Sequence, residues 1–553
     1  MRSAILGFTI ALAALLAAAP GAGAKGQESV TLVWLPEGTT VAQIADAGLS
    51  PGLLSAGLGS VPAEQTYLDV SQGNRVFNSL YDEPLPVRAG NPDWWAEVVE
   101  RAESAPAEIV PGLLERTLTE AGRREALQTR SVRVGELPAL VEELEGDDLL
   151  IAIAKPPPAE NRQLAVGVAG RGFDGNLTSD STRADGYVLS TDVAPTVLDR
   201  LGIAIPGEMS GQPIRSEDEL DVGEVEALGD RMAVISHRRG PVIGFSLLAW
   251  LLTLGLVAAA SRGALARPAV RVTALSVVYM PLAMLAGAAI EPGETAEVLL
   301  VMLGAPLLAA LTLVFLRGFR AIAIAAALTV GAYALDLVLG SPLTSLSLLG
   351  PNPGLGVRFY GIGNELEALL AVLVVAGTGT ALAGFWPQLR RNRAAIAFLL
   401  VGLLAAFVFA AGRFGADVGA AIVFPLGAAV AAVAVAGLGR RRALLAIIAA
   451  PFAVLALLAL VDLVSGANAH LTRSVLDAGG LGDLSDVAQR RLQLSANSFG
   501  RPVLLVFLPV VAILAGLAIW RRDRLREWVR DVPAVRAGLL GALAATAVGT
   551  LAN

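Results

Sequence analysis

The chain contains no cysteine, and its 553 residues include only two histidines, His237 and His470. The first absence excludes disulfides, thiolate metal sites and cysteine nucleophiles, and the second leaves little imidazole for a metal centre. Charge is scarce as well. Only 16% of the residues are charged and 54% are hydrophobic, whereas about 25% are charged in an ordinary soluble protein. So apolar a composition excludes a disordered chain, and a net charge of -7 with a pI near 5.2 excludes a nucleic-acid partner. Neither a fixed-period repeat nor an inverted repeat of the transporter kind is visible.

The charge that is present is unevenly spread. Residues 25–240 hold 18 basic against 35 acidic side chains, and residues 241–553 hold 23 against 14. The first stretch reads as an acidic, water-facing domain over 25–235, long enough to bury its own core. The second reads as a polytopic transmembrane domain over 241–553. Residues 1–24 precede both as a signal peptide or signal anchor: Arg2, an apolar run from Ala4 to Ala19, then Pro20-Gly21-Ala22-Gly23-Ala24.

Ten apolar segments are long enough to span a bilayer, which takes about 20 residues each. They lie near 241–260, 273–290, 298–316, 321–340, 366–386, 394–411, 418–437, 443–462, 502–520 and 535–552. With the acidic domain outside, 17 arginines fall in cytoplasmic connections and six in external ones. That asymmetry satisfies the positive-inside rule and predicts a multi-pass plasma-membrane protein with its N-terminal domain extracytoplasmic.

Within the acidic domain, Val30–Leu35 and Leu149–Ala154 read as buried parallel strands, separated by helical stretches near 94–104 and 111–129. The expected fold is an α/β domain with a mainly parallel sheet, followed by an all-α polytopic membrane domain of about ten helices. Toward the end of the first domain, Asp192-Val193-Ala194-Pro195-Thr196-Val197-Leu198 is followed by Leu201-Gly202-Ile203, Pro206 and Gly211. Asp192 is placed to cap a helix that tolerates Pro195 in its first turn and ends at Gly202.

This segment resembles the alkaline phosphatase and sulfatase superfamily over residues 160–215, and implies an alkaline-phosphatase-like fold. The metal ligands of that superfamily do not carry over. Pro36-Glu37-Gly38 follows the first strand and Lys155-Pro156-Pro157-Pro158 the later one, with no histidine between residues 25 and 236. Glu37, Asp69 and Asp192 read instead as helix caps and solvated acids. The domain is expected to be a degenerate, non-hydrolytic relative with no metal and no cofactor.

Charges close to apolar segments are costly, which makes each a functional candidate. Arg358-Phe359-Tyr360-Gly361-Ile362-Gly363-Asn364-Glu365 stands before the fifth segment, with Asn364 or Glu365 placed to cap it and Arg358 beside its amino terminus, where anions are favoured. A second short loop carries Arg413 and Asp417, spaced for a local pair. The last external loop, 463–501, contains His470, Arg473, Arg490 and Arg491 around an amphipathic helix suited to the bilayer surface. Asp336 lies inside the fourth segment. These pieces together resemble a group of bacterial multi-pass membrane proteins of unassigned activity that join an alkaline-phosphatase-like external domain to a multi-helix membrane domain. One departure is Asp417, where relatives carry Asn.

The arginines suit a pyrophosphate, and His470 suits a general base acting on an acceptor hydroxyl. The layout loosely resembles that of membrane-embedded glycan ligases and polymerases. The expected role is binding or processing a lipid-linked, phosphate-containing glycan, with membrane lipids and an isoprenoid-phosphate-linked glycan as partners and His470 as the catalytic residue. Arg358, Tyr360, Asn364, Glu365, Arg413, Asp417, Arg473, Arg490 and Arg491 are the expected substrate-binding set. The alternatives are a transporter or flippase using Asp336, Arg358 and Glu365, or a non-catalytic scaffold that recruits other envelope proteins.

Overall fold

The computed structural model describes residues 28–217, 219–261, 265–465 and 530–552, together with Gly516, Asp523 and Glu527. Two compact units emerge. One runs to Ser181 and resumes over Asp185–Val225; the other combines Thr182–Ala184 with the chain from Glu226 onward.

The first unit is built on a mixed six-stranded sheet. Its strands are β1 (Val30–Leu35), β2 (Ser50–Ser55), β3 (Leu127–Ser131), β4 (Leu149–Ala154), β5 (Gln163–Gly170) and β7 (Tyr187–Leu189), in the order β3-β1-β4-β5-β2-β7. β1 pairs in parallel with β3 and β4, and β2 with β7, while β5 is antiparallel to both β4 and β2. Five strands therefore point one way and β5 alone runs against them. The apolar runs at 30–35 and 149–154 are neighbouring interior strands, and every residue of β4 is buried. Continuous Leu, Ile and Val runs of this kind arise where both faces of a strand are covered.

The covering helices are α1 (Val41–Asp46), α2 (Ala63–Gln72), α3 (Trp94–Glu103), α4 (Leu113–Glu120), α5 (Leu137–Glu142) and α6 (Val193–Arg200). Thr40 and Gln43 form a reciprocal capping box on α1. The stretch 111–129 is α-helical only over α4, with a 3-10 turn at Arg124–Ala126; its last part becomes the edge strand β3, four of whose five residues are exposed. A separate antiparallel pair joins β6 (Asn176–Ser179) to β8 (Ile214–Glu217).

α6 carries the Ala-Pro-Thr segment, with Leu198 and Leu201 buried and Gly202 in the left-handed conformation that ends it. Asp192 occupies the N-cap position of this helix, but its side chain bonds none of the helix's N–H groups. Its fully buried carboxylate instead accepts four bonds, from the hydroxyls of Ser179 and Ser181 and the backbone N–H groups of Leu189 and Gln212. Burial raises the pKa of Asp192 against the pull of those four donors.

The second unit is helical: α7 (Val222–Ala260, its first residues belonging to the first unit), α8 (Ala266–Ile290), α9 (Glu294–Phe315), α10 (Phe319–Val338), the short α11 (Pro342–Leu346), α12 (Asn364–Phe385), α13 (Arg391–Ala410), α14 (Ala420–Ala436), α15 (Arg440–Ser465) and α16 (Pro533–Ala552). Among the described residues, eight of these are long and apolar enough to cross a membrane, and α14 is a shorter apolar helix of 17 residues. Nine of the ten apolar segments thus lie on helices; the segment 502–520 falls, apart from Gly516, outside the described residues.

Small residues bring the helices close. A Cβ on Gly379 would meet the backbone of α16 at Ala534 and Gly538. Outward, Leu299, Leu303, Leu307 and Leu311 form an exposed stripe along α9. A continuous apolar surface of that kind suits hydrocarbon rather than water.

Candidate functional site

Polar side chains of the helical unit collect along the turns 338–364 and 410–420, which bond each other, and around the turn 290–294, which Arg238 of α7 reaches. The joint is made by two glycine-bearing loops. The Ile362 N–H donates to the Gly415 carbonyl at 3.1 Å, and the Gly361 N–H to the Ser341 hydroxyl at 3.2 Å. Gly361 has a φ of 79°, and a Cβ there would collide with the Gly415 carbonyl. Glycine is required twice over, by backbone conformation and by the closeness of the facing chain.

This junction sets Arg358 against Asp417. Arg358 Nη1 donates to Asp417 Oδ2 at 2.6 Å and also to the Ile362 carbonyl. The buried Asp417 accepts the Ala420 N–H through its other oxygen at 3.0 Å, capping the start of α14. Asp417 therefore pairs with Arg358 and not with Arg413, because the segment 411–419 is not helical and a spacing of four does not bring 413 and 417 together. Asn364 and Glu365 do not cap α12 either. They are its first two residues, exposed, and Gly363 precedes them as an N-cap without a side-chain bond.

Arg358 keeps 34% of its side chain exposed, and its bonds among the described residues use Nη1 alone. Its Nε–Nη2 edge, the one that grips oxyanions with two parallel bonds, is unengaged there. Arg413 is exposed nearby. Arg183, of the tripeptide that belongs to this unit, stacks over the Tyr360 ring at 4.1 Å and donates to the Gly412 carbonyl at 3.0 Å. His470, Arg473, Arg490 and Arg491 lie outside the described residues.

A second knot, tied to the 338–364 loop through the Leu346 and Gly350 carbonyls, has no counterpart among the expected site residues. Glu297, in the first turn of α9, is completely buried and accepts Arg231 through both oxygens, at 2.8 and 3.1 Å, and Arg238 at 3.0 Å. Arg231 also donates to the Leu346 carbonyl, Arg238 to that of Pro292 and Arg239 to that of Gly350. The signal was available in the spacing: positions 231, 238 and 239 fall on one face of a helix. Asp336 is consumed locally, its two oxygens accepting the N–H groups of Leu343 and Thr344 at the start of α11.

In the first unit, Asp69 is buried rather than solvated and caps nothing. It accepts bonds from Gln65 at 2.8 Å and Gln72 at 3.2 Å. Burial pushes its pKa up to about 7, against the opposing pull of Arg75 and Arg101. Arg101 lies 3.5 Å over the ring of Tyr81 and ties the chain near Glu83 and Asn78 to Gln65. Burial raises the Tyr81 phenol to about 12. Glu37 is exposed. Among the described residues, no three His, Asp or Glu side chains come together in a way that could hold a metal ion.

Comparison of the chain with protein-family models, curated proteins and solved structures returns no match.

Proposed function

We propose that this is a multi-pass plasma-membrane protein of the bacterial cell envelope, with its N-terminal domain outside. Its junction at Arg358 and Asp417 binds a lipid-linked, phosphate-bearing group, an isoprenoid-phosphate glycan by the chemistry of the site and its setting. The observation that carries the reading is the unengaged Nε–Nη2 edge of a guanidinium held in place by a buried carboxylate. A cation fixed beforehand in this way loses little freedom when an oxyanion arrives. Exposed Arg413 and the half-buried Tyr360 add a second charge and an aromatic face. The outward orientation rests on the arginine asymmetry between alternate loops. The alkaline-phosphatase-like reading of the first domain is supported by its five codirectional strands and by the packing of α6.

The scaffold reading draws on a different observation. Glu297 and Asp417 have their cations already in place, as a structural joint requires. A transport path through Asp336 draws less support, since both its oxygens are taken by backbone N–H groups.

Native mass spectrometry of the full-length protein in mild detergent tests the proposal. A co-purifying isoprenoid phosphate that is lost in Arg358→Ala supports it. A well-folded protein that carries no such lipid sinks it in favour of the scaffold.

A further inference from the structure

The knot around Glu297 carries more positive than negative charge. One fully buried carboxylate faces two guanidiniums, Arg231 with 3% and Arg238 with 18% of the side chain exposed. Excess charge away from water is costly unless an anion compensates it. Arg231 spends Nη1 and Nη2 on Glu297 and Nε on the Leu346 carbonyl. Arg238 bonds through Nη1 alone among the described residues, which leaves its Nε–Nη2 edge. Arg239 is turned to the Gly350 carbonyl, with Glu365 3.9 Å away. Two further acids, Glu291 and Glu294, flank the turn that receives Arg238. Both are exposed, and neither lies within 4.0 Å of a described guanidinium.

Below Arg238 the surface is apolar on both helices that hold the knot. Phe245 and Leu252 follow it at spacings of seven on α7 and are 59% and 58% exposed. Leu299 and Leu303 are exposed on α9, and the Trp250 indole N–H donates to the Met302 carbonyl at 2.8 Å, joining the two helices midway. A cation at the head of a two-helix apolar surface has the layout that a phospholipid fills.

We propose that Arg238 binds the phosphate of one anionic phospholipid, whose chains lie along Phe245, Leu252, Leu299 and Leu303. This site is separate from the Arg358 junction and does not depend on that reading.

Full-length protein stripped of lipid in mild detergent is titrated with dioleoylphosphatidylglycerol, dioleoylphosphatidylcholine or glycerol 1-phosphate while Tm is read. The phosphatidylglycerol is expected to raise Tm and to bind about fivefold more tightly than the choline lipid, the worth of one cation at a membrane surface. Arg238→Gln should abolish that preference, and Arg239→Gln should keep it. Equal shifts from the two lipids, or full preference in Arg238→Gln, overturn the proposal. So does glycerol 1-phosphate matching phosphatidylglycerol, which would make this a site for a soluble anion. If Arg238→Gln does not fold, wild-type protein in an equimolar mixture of the two lipids decides by native mass spectrometry. Selective retention of one phosphatidylglycerol supports the site, and equal retention overturns it.

Discussion

Arg358 and Asp417, 59 positions apart in the chain, meet as a 2.6 Å ion pair in which the acid is buried and also caps the first N–H of α14. One carboxylate thus fixes both the orientation of a guanidinium and the start of a helix. The two roles separate by substitution. Asp417→Asn keeps an oxygen for the Ala420 N–H and loses the charge, while Asp417→Ala loses both. Asp417→Ala is expected to cost about 2 kcal/mol or more and Asp417→Asn roughly half of that. Thermal unfolding of the detergent-solubilised protein measures both, and a double-mutant cycle with Arg358→Met should return a coupling of about 1–2 kcal/mol. Equal losses for Asn and Ala would show that the cap contributes nothing.

Glu297 is the larger structural stake. Glu297→Gln strands Arg231 in a buried position without its anion, an imbalance worth about 3–5 kcal/mol. Arg238 retains some access to solvent, so Arg238→Gln should cost much less. Comparable destabilisation by the two variants would contradict the unequal burial of the two arginines.

Much of this architecture was legible in the sequence, for physical reasons that also explain what was not. Leu149–Ala154 could be read as a strand because burial on both faces leaves an unbroken apolar run. Helices facing hydrocarbon announce themselves in the same way, as the leucine stripe of α9 does. The meeting of Arg358 with Asp417 could not be read, since a tertiary contact between two turns leaves no period in the chain. The nearest cation in sequence, Arg413, stands at a spacing that suggests a local pair, which this non-helical segment does not make. Asp69 and Asp192 read as helix caps or solvated acids because a single acidic residue carries no mark of its depth; the amides that satisfy Asp69 come from its own helix and the hydroxyls that satisfy Asp192 from a preceding turn. Arg231 falls inside the 25–235 stretch that reads as the acidic domain and Arg238 in the link before 241, although their spacing of seven and their place just before an apolar span point to a single helix, α7, that carries both.

Gly361→Ala tests the loop junction directly. The substitution places a side chain at a φ of 79° and into the Gly415 carbonyl, so it should cost more than about 2 kcal/mol and disturb the Arg358 pair. Gly437, at the end of α14 with a φ of 69° and open space around it, supplies the control. Gly437→Ala should cost only about 1 kcal/mol, the conformational share. Thermal unfolding of both variants separates strain from collision, and equal costs would mean that the loops can part.

Asp69 makes the first unit sensitive to pH. Burial holds its carboxyl up at about 7 in the fold, against the ordinary 3.8 of an aspartate, so the folded state holds the proton over that interval and the unfolded chain does not. Its favourable contribution is complete below about 3.8 and is lost as the pH rises through 7. The amides of α2 should therefore exchange hydrogen more readily at pH 8 than at pH 5, after correction for intrinsic rates. Asp69→Asn should remove that dependence. An unchanged pH profile in the variant would mean that Arg75 and Arg101 keep Asp69 ionised throughout.

The absence of cysteine makes the membrane orientation simple to test, because any introduced thiol is the only one in the chain. Asn364, at the start of α12, and Gly439, in the turn before α15, are both exposed and stand at opposite ends of spans under the arginine asymmetry. In intact cells, Asn364→Cys should react with a membrane-impermeant maleimide, and Gly439→Cys only after permeabilisation. The Arg440-Arg441-Arg442 cluster beside Gly439 is the physical reason, since arginines in short loops resist translocation. The reverse labelling pattern would place the Arg358 junction on the cytoplasmic side and remove the case for an external lipid-linked substrate.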